Sequence, residues 1–312
     1  MTTFSITIPA YKAQFLDEAV KSVLSQTYSD WELIIVDDCS PENLEAIVTP
    51  YLHDKRIQYY RNERNCGAIN VVDNWDICLG HCTGDYVICM GDDDRLLPCC
   101  LEELSKIISK YPNLNVYHSR TEIIDEKGQV TEILEERPER EDALSMMTKR
   151  WEGRKQFIGD FCFSREHLIA CNGYYPVPFA WGSDDITLFR AAVPSGIANA
   201  NRPGFQYREN IYSISLSNNA VEKVSATLLQ KKWHQEKLAE LLAQNAYPAK
   251  TIHNAQSAMN HFVEGQIAGN IKRDLKQGGI KRYWYWLWNY PKQVISPFLM
   301  LKIYIFSVIQ SS

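Results

Sequence analysis

No Gly-x-Gly-x-x-Gly follows the first predicted strand, and no Gly-x4-Gly-Lys-Ser/Thr occurs anywhere in the 312 residues. A dinucleotide-binding turn and a phosphate-cradling loop are therefore excluded as ways of holding a nucleotide. The nine cysteines include no Cys-x-x-Cys pair, all stand at or before Cys171, and the histidines are scattered. That pattern argues against a disulfide framework or a zinc site and for reduced thiols used as small buried hydrophobes. No signal peptide is recognisable, since Met1-Thr2-Thr3 runs straight into the strand Phe4 to Ile8, so a cytoplasmic setting is expected. The terminal apolar segment, Val294 to Ile309, is interrupted by Pro297 and Lys302 and falls short of the roughly 20 residues a membrane span needs. Nothing reads as disordered or low in complexity, and no nucleic-acid partner is expected.

What is present suffices for a full α/β core with one smaller domain left over, at 45% hydrophobic composition. The net charge of −5 is unevenly spread: residues 220–312 hold 12 Lys and Arg against 5 Asp and Glu, and residues 1–219 hold 21 against 33. The two parts face different partners. Leu16, Ala19, Val20, Val23 and Leu24 fall on one helical face after the first strand. Trp31 to Val36, apolar except for Glu32, reads as a strand covered on both sides. Ser40 is placed to cap a helix with Pro41 at its first position, and a third strand spans Ile57 to Tyr60. This β-α-β-α-β order predicts a doubly wound, mostly parallel, Rossmann-like sheet.

Acidic turns then fall at the carboxyl ends of two strands, where open α/β sheets place ligands. They are Asp37-Asp38 after the second and Asp92-Asp93-Asp94 after the fourth, Tyr86 to Met90. Adjacent carboxylates resist burial unless positive charge is near, and Mn²⁺ or Mg²⁺ shared with phosphate oxygens meets that need. A solvated acidic turn is the alternative.

The order of motifs resembles the inverting GT-A glycosyltransferases of family 2. The resemblance covers about residues 4–217 and rests on Ser5 to Tyr11, Leu33 to Ser40, Asn65-Cys66-Gly67, Asn74 to Leu79, and Gly84 to Ile88 leading into the Asp triplet. It implies that Pro9, Ala10, Tyr11, Asp37 and Asp38 hold the nucleoside, that Asn65 and Gly67 pass beneath the base, and that Asn74 reaches the site from its helix. A helix-surface place for Asn74 is the alternative. The triplet matches the family's Asp-x-Asp element imperfectly. Counted back from Pro98, the usual metal position falls on Asp93 and the usual first Asp on Gly91, while strand alternation pairs Asp92 with Asp94. All three are taken as the metal and phosphate site, with Asp93 ranked first. The resemblance further makes Asp185 the catalytic base, with Asp184 in place of the usual Glu and Arg190 five residues on. Arg208 is expected to reach the diphosphate.

Each segment has a structural alternative. Ser183 is placed to N-cap a helix whose first turn holds the two Asp. The charged run Glu132 to Glu141 reads as a solvated loop, and Tyr174, Tyr175, Phe179 and Trp181 can stack on acceptor sugar or fill core. From Val221 two helices are expected, ended by Gly278-Gly279. Dense Trp and Tyr beside Lys281 and Arg282 then suit an anchor on an anionic membrane surface, or a docked helix or homodimer face. The expected domains are a catalytic GT-A unit at 1–218 and a helical region at 219–312. The expected function is metal-dependent inverting transfer of a sugar from a nucleotide diphosphate sugar, UDP-linked by preference, to a glycan or lipid-linked glycan hydroxyl, in bacterial surface polysaccharide synthesis. Its expected location is cytoplasmic, on the inner face of the membrane. A sugar-1-phosphate nucleotidyltransferase or a non-catalytic sugar-nucleotide or glycan binder are the alternatives. The first should carry a Gly-rich basic loop where Pro9-Ala10-Tyr11-Lys12-Ala13 stands.

Overall fold

A computed structural model describes residues 2–210, 219–289, 300, 301 and 303–305. The chain forms two compact units, residues 1–213 and 214–312. The first is built on a ten-stranded sheet: β1 (Phe4–Ala10), β2 (Trp31–Asp37), β3 (Ile57–Arg61), β4 (Tyr86–Cys89), β5 (Arg95–Leu96), β6 (Val116–Ile124), β7 (Val130–Ile133), β8 (Arg140–Glu141), β9 (Phe161–Ser164) and β10 (Ile197–Arg208). Its main path runs β3-β2-β1-β4-β9-β6-β10-β5. The helices are α1 (Leu16–Leu24), α2 (Leu44–Val48), α3 (Val71–His81), α4 (Cys100–Lys110), α5 (Ala143–Trp151), α6 (Arg165–Ala170) and α7 (Ser183–Ala192).

Strands β3, β2, β1 and β4 are parallel and in step, with Ala10 opposite Asp37, Asp37 opposite Arg61, and Thr7 opposite Cys89. Ile6, Ile8, Leu33, Ile34, Ile35, Val36 and Ile88 are buried, as strands covered by helices on both faces require. This register stacks the four carboxyl ends, so the loops beginning at Tyr11, Asp38, Asn62 and Met90 emerge along one edge. Glu32, the polar break in β2, accepts from Ser5 Oγ (2.6 Å) and the Thr83 amide (2.6 Å), tying the opposite ends of β1, β2 and β4 together.

The second half of the sheet is mixed. β9 runs antiparallel between β4 and β6, β10 runs parallel to β6, and β5 closes the edge antiparallel to β10. Inserting β9 there brings the short turn Ile158–Asp160 against the carboxyl end of β4.

Local expectations need three corrections. Asn43, not Ser40, caps α2, its side chain accepting from the Ala46 amide (3.2 Å); Ser40 instead donates to the Tyr11 carbonyl (2.6 Å) and binds two loops together. Gly182, left-handed at φ 89°, precedes α7, and Ser183 Oγ accepts from the Val177 amide (3.1 Å). The 132–141 run is not a solvated loop throughout: Arg137 and Glu141 are buried, Glu141 pairing with Arg154 (3.0 Å).

The second unit pairs α8 (Ala220–Ala243) with α9 (Ala249–Asn289), which is kinked at Gly279 (φ 55°). Val224, Val263, Ile267, Ile271, Leu275, Trp286, Met300 and Ile303 make its core. Lys223 is fully buried, and burial pulls its ammonium down to about 8. The expected segment Val294 to Ile309 lies mostly outside the described residues, as do residues 211–218 of the segment that begins at Tyr207.

Gly84 shows how tight the join of β1 and β4 is: a Cβ there would stand 2.8 Å from the Ser5 nitrogen and 2.9 Å from the Phe4 carbonyl carbon. Both obstacles are backbone, so Gly84→Ala should destabilise the protein by about 1–3 kcal/mol. Thermal unfolding should register a Tm lowered by several degrees, and an unchanged Tm contradicts this packing account.

Candidate active site

The carboxyl edge of the parallel strands gathers three groups of polar side chains. The first surrounds Asp37 and Asp38. Asp37 is fully buried; it accepts from the Ser40 amide (2.7 Å) and Tyr59 hydroxyl (2.7 Å) and pairs with Arg61. Asp38 donates its amide to the Ala10 carbonyl (2.9 Å), while its Oδ1 accepts from Asn62 Nδ2 (2.9 Å) and the Cys66 amide (2.9 Å). Asn62 also donates to Asn74 Oδ1 (3.0 Å), and Asn74 donates to the Val36 carbonyl (3.3 Å), so Asn74 turns inward rather than lying on a helix surface. Asn65 donates to the Asp38 carbonyl (2.7 Å), and Gly67 follows with φ 81°, a left-handed turn that suits glycine. Asp37, Asp38, Asn65 and Asn74 are thus one network whose hubs, Asn62 and Arg61, were not anticipated. Their signal is positional: they end and follow the parallel strand β3.

The second group is the triplet. Asp92 is buried and its Oδ2 accepts from the amides of Tyr11 (2.7 Å) and Lys12 (2.7 Å), which fixes the loop after β1 and leaves the Tyr11 ring exposed. Asp94 Oδ1 accepts from the Arg208 amide (2.9 Å). Asp93, the more exposed middle member, accepts at Oδ2 from Asn210 Nδ2 (2.6 Å). Burial and the charge of Asp93 push Asp92 up to about 6 and raise Asp94 well above the ordinary carboxylate range. The trio is therefore short of positive charge.

Gly91 bears on how that charge is supplied. A Cβ on it would lie 2.8 Å from Asp93 Oδ1 and 2.9 Å from Asp94 Oδ2, so the missing side chain leaves a cradle between two carboxylate oxygens. Hard oxygens around a small gap fit Mg²⁺ or Mn²⁺. No group of three or more His, Cys, Asp or Glu poised for a metal occurs among the described residues. One or two carboxylates, completed by phosphate and water, is the usual arrangement for Mg²⁺. Asp93 Oδ1 and Asp94 Oδ2 are the better placed pair, because they line this gap, whereas Asp92 Oδ2 is turned to the amides of Tyr11 and Lys12.

Arg208 has a different set of partners from a diphosphate. Its buried guanidinium donates to the carbonyls of Asp93 (2.8 Å), Asp125 (3.2 Å) and Glu126 (3.2 Å), pairs with Glu18 (2.7 Å), and lies 4.1 Å above the Phe15 ring. It clamps the end of β10 to the triplet.

The third group surrounds α7. Asp185 is buried and turned inward, held by Arg150 Nε (2.9 and 3.1 Å) and Gln156 Nε2 (2.8 Å). Asp184 is half-buried; burial and then the adjacent Asp185 push its carboxyl up to about 7, with Arg150 opposing. Asp160, in the turn against β4, accepts from Thr121 Oγ1 (3.0 Å), lies 3.8 Å from His118, and is pushed up to about 7 by burial. Asp160 Oδ1, Gln156 Oε1 and both His118 ring nitrogens are buried without hydrogen-bond partners among the described residues, a pattern that ordered water completes in many interiors. Arg150, Gln156 and Asp160 gave no local sign in the sequence, since each finds its partner across a long loop. Arg190 points elsewhere: it donates to the carbonyls of Cys171 (2.8 Å) and Gly173 and braces the 171–175 loop.

Two contacts join the segments after β3 to the segments before α7. Asp76, on α3, accepts from the Tyr174 amide (2.8 Å), and the turn Ala68–Asn70 packs against Pro178–Ala180. Tyr174 and Phe179 are buried, Tyr174 edge-on to Trp75 (5.5 Å) and Phe163 (6.2 Å), so these two serve as core.

This arrangement has relatives. A family model described as "Glycosyl transferase family 2" matches residues 5–174. WcaA of Escherichia coli K12, named for colanic acid biosynthesis glycosyl transfer, is 46% identical over 97 residues, 30% of this chain and 33% of WcaA. EpsE of Bacillus subtilis 168, named as a glycosyltransferase, is 27% identical over 215 residues, 68% of this chain and 72% of EpsE. The chain thus covers about a third of the length of one curated relative and nearly three quarters of the other. Among solved structures, S. aureus TarS 1–349 in complex with UDP-GlcNAc superimposes with a TM-score of 0.64 at 14% identity, over 98% of this chain and 89% of TarS 1–349. That likeness gives the fold, GT-A: a mixed, curled sheet with helices, followed by a helical region. Since the family model spans more than half of the residues and ends inside the site just described, the chain belongs to glycosyl transferase family 2.

Proposed function

We propose that the protein transfers a sugar, with inversion, from a UDP-linked donor to a hydroxyl of a glycan in bacterial surface polysaccharide synthesis. The observation that carries this reading is that the Asp92 to Asp94 turn leaves the carboxyl end of β4, against which the Ile158–Asp160 turn also packs, while Asp184 on α7 lies within electrostatic reach of Asp160. TarS structures hold UDP-GlcNAc and UDP, and the name of WcaA supplies the polysaccharide context. A lipid-linked acceptor, met at the cytoplasmic face of the membrane, agrees with the basic, aromatic end of the chain.

Asp38 is the nucleoside acceptor in this scheme. Asp37 is saturated by Ser40, Tyr59 and Arg61, whereas Asp38 Oδ2 has no bond among the described residues. A carboxylate oxygen can accept from a base N–H or a ribose hydroxyl. Pro9, Ala10 and Tyr11 form the wall that Asp92 holds in place, with Asn65 and Gly67 on the other side. Asp93 and Asp94 would hold the divalent cation, which would supply positive charge to offset that on the leaving diphosphate. Opposite them, Asp185 takes the acceptor hydroxyl's proton. Arg150 and Gln156 orient it, and burial pushes the carboxyl of the adjacent Asp184 up to about 7. Arg190 acts at one remove, by fixing the loop that leads to α7.

Three outcomes test this reading. Asp185→Asn should lower kcat by about 10²–10⁴-fold while donor affinity holds; a variant with nearly full kcat contradicts the base assignment. With Asp184 raised to about 7, the reactive ionised pair is lost as pH falls. The rate kcat/KM should therefore be level above roughly pH 7 and fall about tenfold per unit below it. A profile flat down to pH 5 contradicts it. Donor hydrolysis should stop with a chelator and return with Mn²⁺, and Asp93→Asn should raise the Mn²⁺ needed; turnover indifferent to chelator removes the metal from the scheme.

A further inference from the structure

The aromatic cluster near the end of α9 is divided by the fold into two sets. Trp286 is buried, and its indole nitrogen donates to Asp274 (2.7 Å), which also accepts from Arg282 Nε (2.6 Å). Arg282 lies 4.2 Å over the Tyr285 ring, and Tyr283 packs against Tyr304 at 5.0 Å. Those residues build the unit's core. The other set does not: Ile280, Trp284 and Trp288 are 49%, 53% and 82% exposed. Their spacing of four places them on one narrow stripe of the helical segment that follows the kink at Gly279. Leu301 and Ile305, again four apart, are 47% and 46% exposed.

Water is a poor neighbour for such a stripe, so its occupant has to be found from its surroundings. From Leu275 onward the chain has five Lys and Arg and no Asp or Glu, and Lys276 and Lys281, close to the stripe, are exposed. A symmetric contact between two copies would set this patch against itself and bring like charges together. An anionic bilayer supplies what both features need: headgroup charge for the lysines, and a boundary where an indole keeps its ring in apolar surroundings and its N–H in water. No helix among the described residues is long and apolar enough to cross a membrane, which leaves lying in the interface.

We infer that Ile280, Trp284 and Trp288, flanked by Lys276 and Lys281, form a surface that docks in the interface of an anionic membrane, with Trp286 reserved for the fold. The inference deepens the lipid-linked acceptor reading but uses neither the donor nor the metal assignments. Transfer to a soluble acceptor can persist while docking fails, and the reverse.

The test uses the full chain, floated in a density gradient with phosphatidylcholine vesicles or with vesicles containing phosphatidylglycerol. The protein should rise only with the anionic vesicles, and less so at high salt. Trp284→Ser with Trp288→Ser should reduce the vesicle-bound fraction at least tenfold, with circular dichroism and Tm unchanged because both side chains are exposed. Lys281→Glu, which leaves the aromatic residues in place, should weaken flotation on its own. Wild-type protein remaining at the bottom with anionic vesicles overturns the inference, as does a double tryptophan variant that floats like wild type. Sedimentation showing a wild-type dimer that the tryptophan variant loses assigns the stripe to a second copy and overturns it as well.

Discussion

Everything at the candidate site follows from crowding carboxylates at one edge of a parallel sheet. The register of β1 to β4 stacks their carboxyl ends, and the acidic turns Asp37-Asp38 and Asp92 to Asp94 emerge on either side of β1. Buried like charges are costly unless each is matched by a cation or by amide hydrogens. The fold answers case by case: Arg61 for Asp37, Asn62 and a loop amide for Asp38, two loop amides for Asp92, the Arg208 amide for Asp94. These matches also place the loops, because a carboxylate that must be satisfied by an amide dictates where that backbone runs. Asp92 thus sets the course of Tyr11 and Lys12 as much as it contributes charge.

Arg208 illustrates the same logic at larger scale. Its guanidinium spans Asp93, the 125–126 turn and Glu18, so one side chain joins the end of β10, the start of the hairpin and helix α1. A planar fork with five donors suits such a junction. A phosphate could recruit it only by breaking bonds that hold the triplet in position.

Much of this was legible in the sequence, and the part that was not has a common cause. Strand and helix order, the acidic turns and their place at strand ends all follow from short-range periodicity and turn residues. Partners separated by long loops do not. Arg150 lies 35 residues from Asp185 and Asn62 lies 24 from Asp38. No local pattern marks them, because β9 had to insert beside β4, and α5 to pack on α7, before those pairs existed. The 132–141 run misled for the same reason: its composition is that of a solvated loop, yet Arg137 and Glu141 are buried, where long-range partners make burial tolerable. The aromatic residues at 283–288 looked equivalent in sequence, and only the pairing of Asp274 with Arg282 and Trp286 separates those that fill the core from those that face outward.

The two sides of the site differ in how complete their electrostatics are. Around α7 the protein supplies its own cations: Arg150 faces Asp185, Arg154 faces Glu141, and Arg137 is within electrostatic reach of Asp160. Around the triplet no lysine or arginine side chain is ion-paired with Asp92, Asp93 or Asp94 among the described residues, and the buried carboxylates there are held above their ordinary range. In the scheme proposed above, this asymmetry divides the work between the two sides. On the triplet side, positive charge would arrive with the donor, because the protein sets no ion-paired lysine or arginine against those carboxylates. On the α7 side, Arg150 and Gln156 settle Asp185 beforehand, so that its carboxylate would already be oriented when an acceptor arrives.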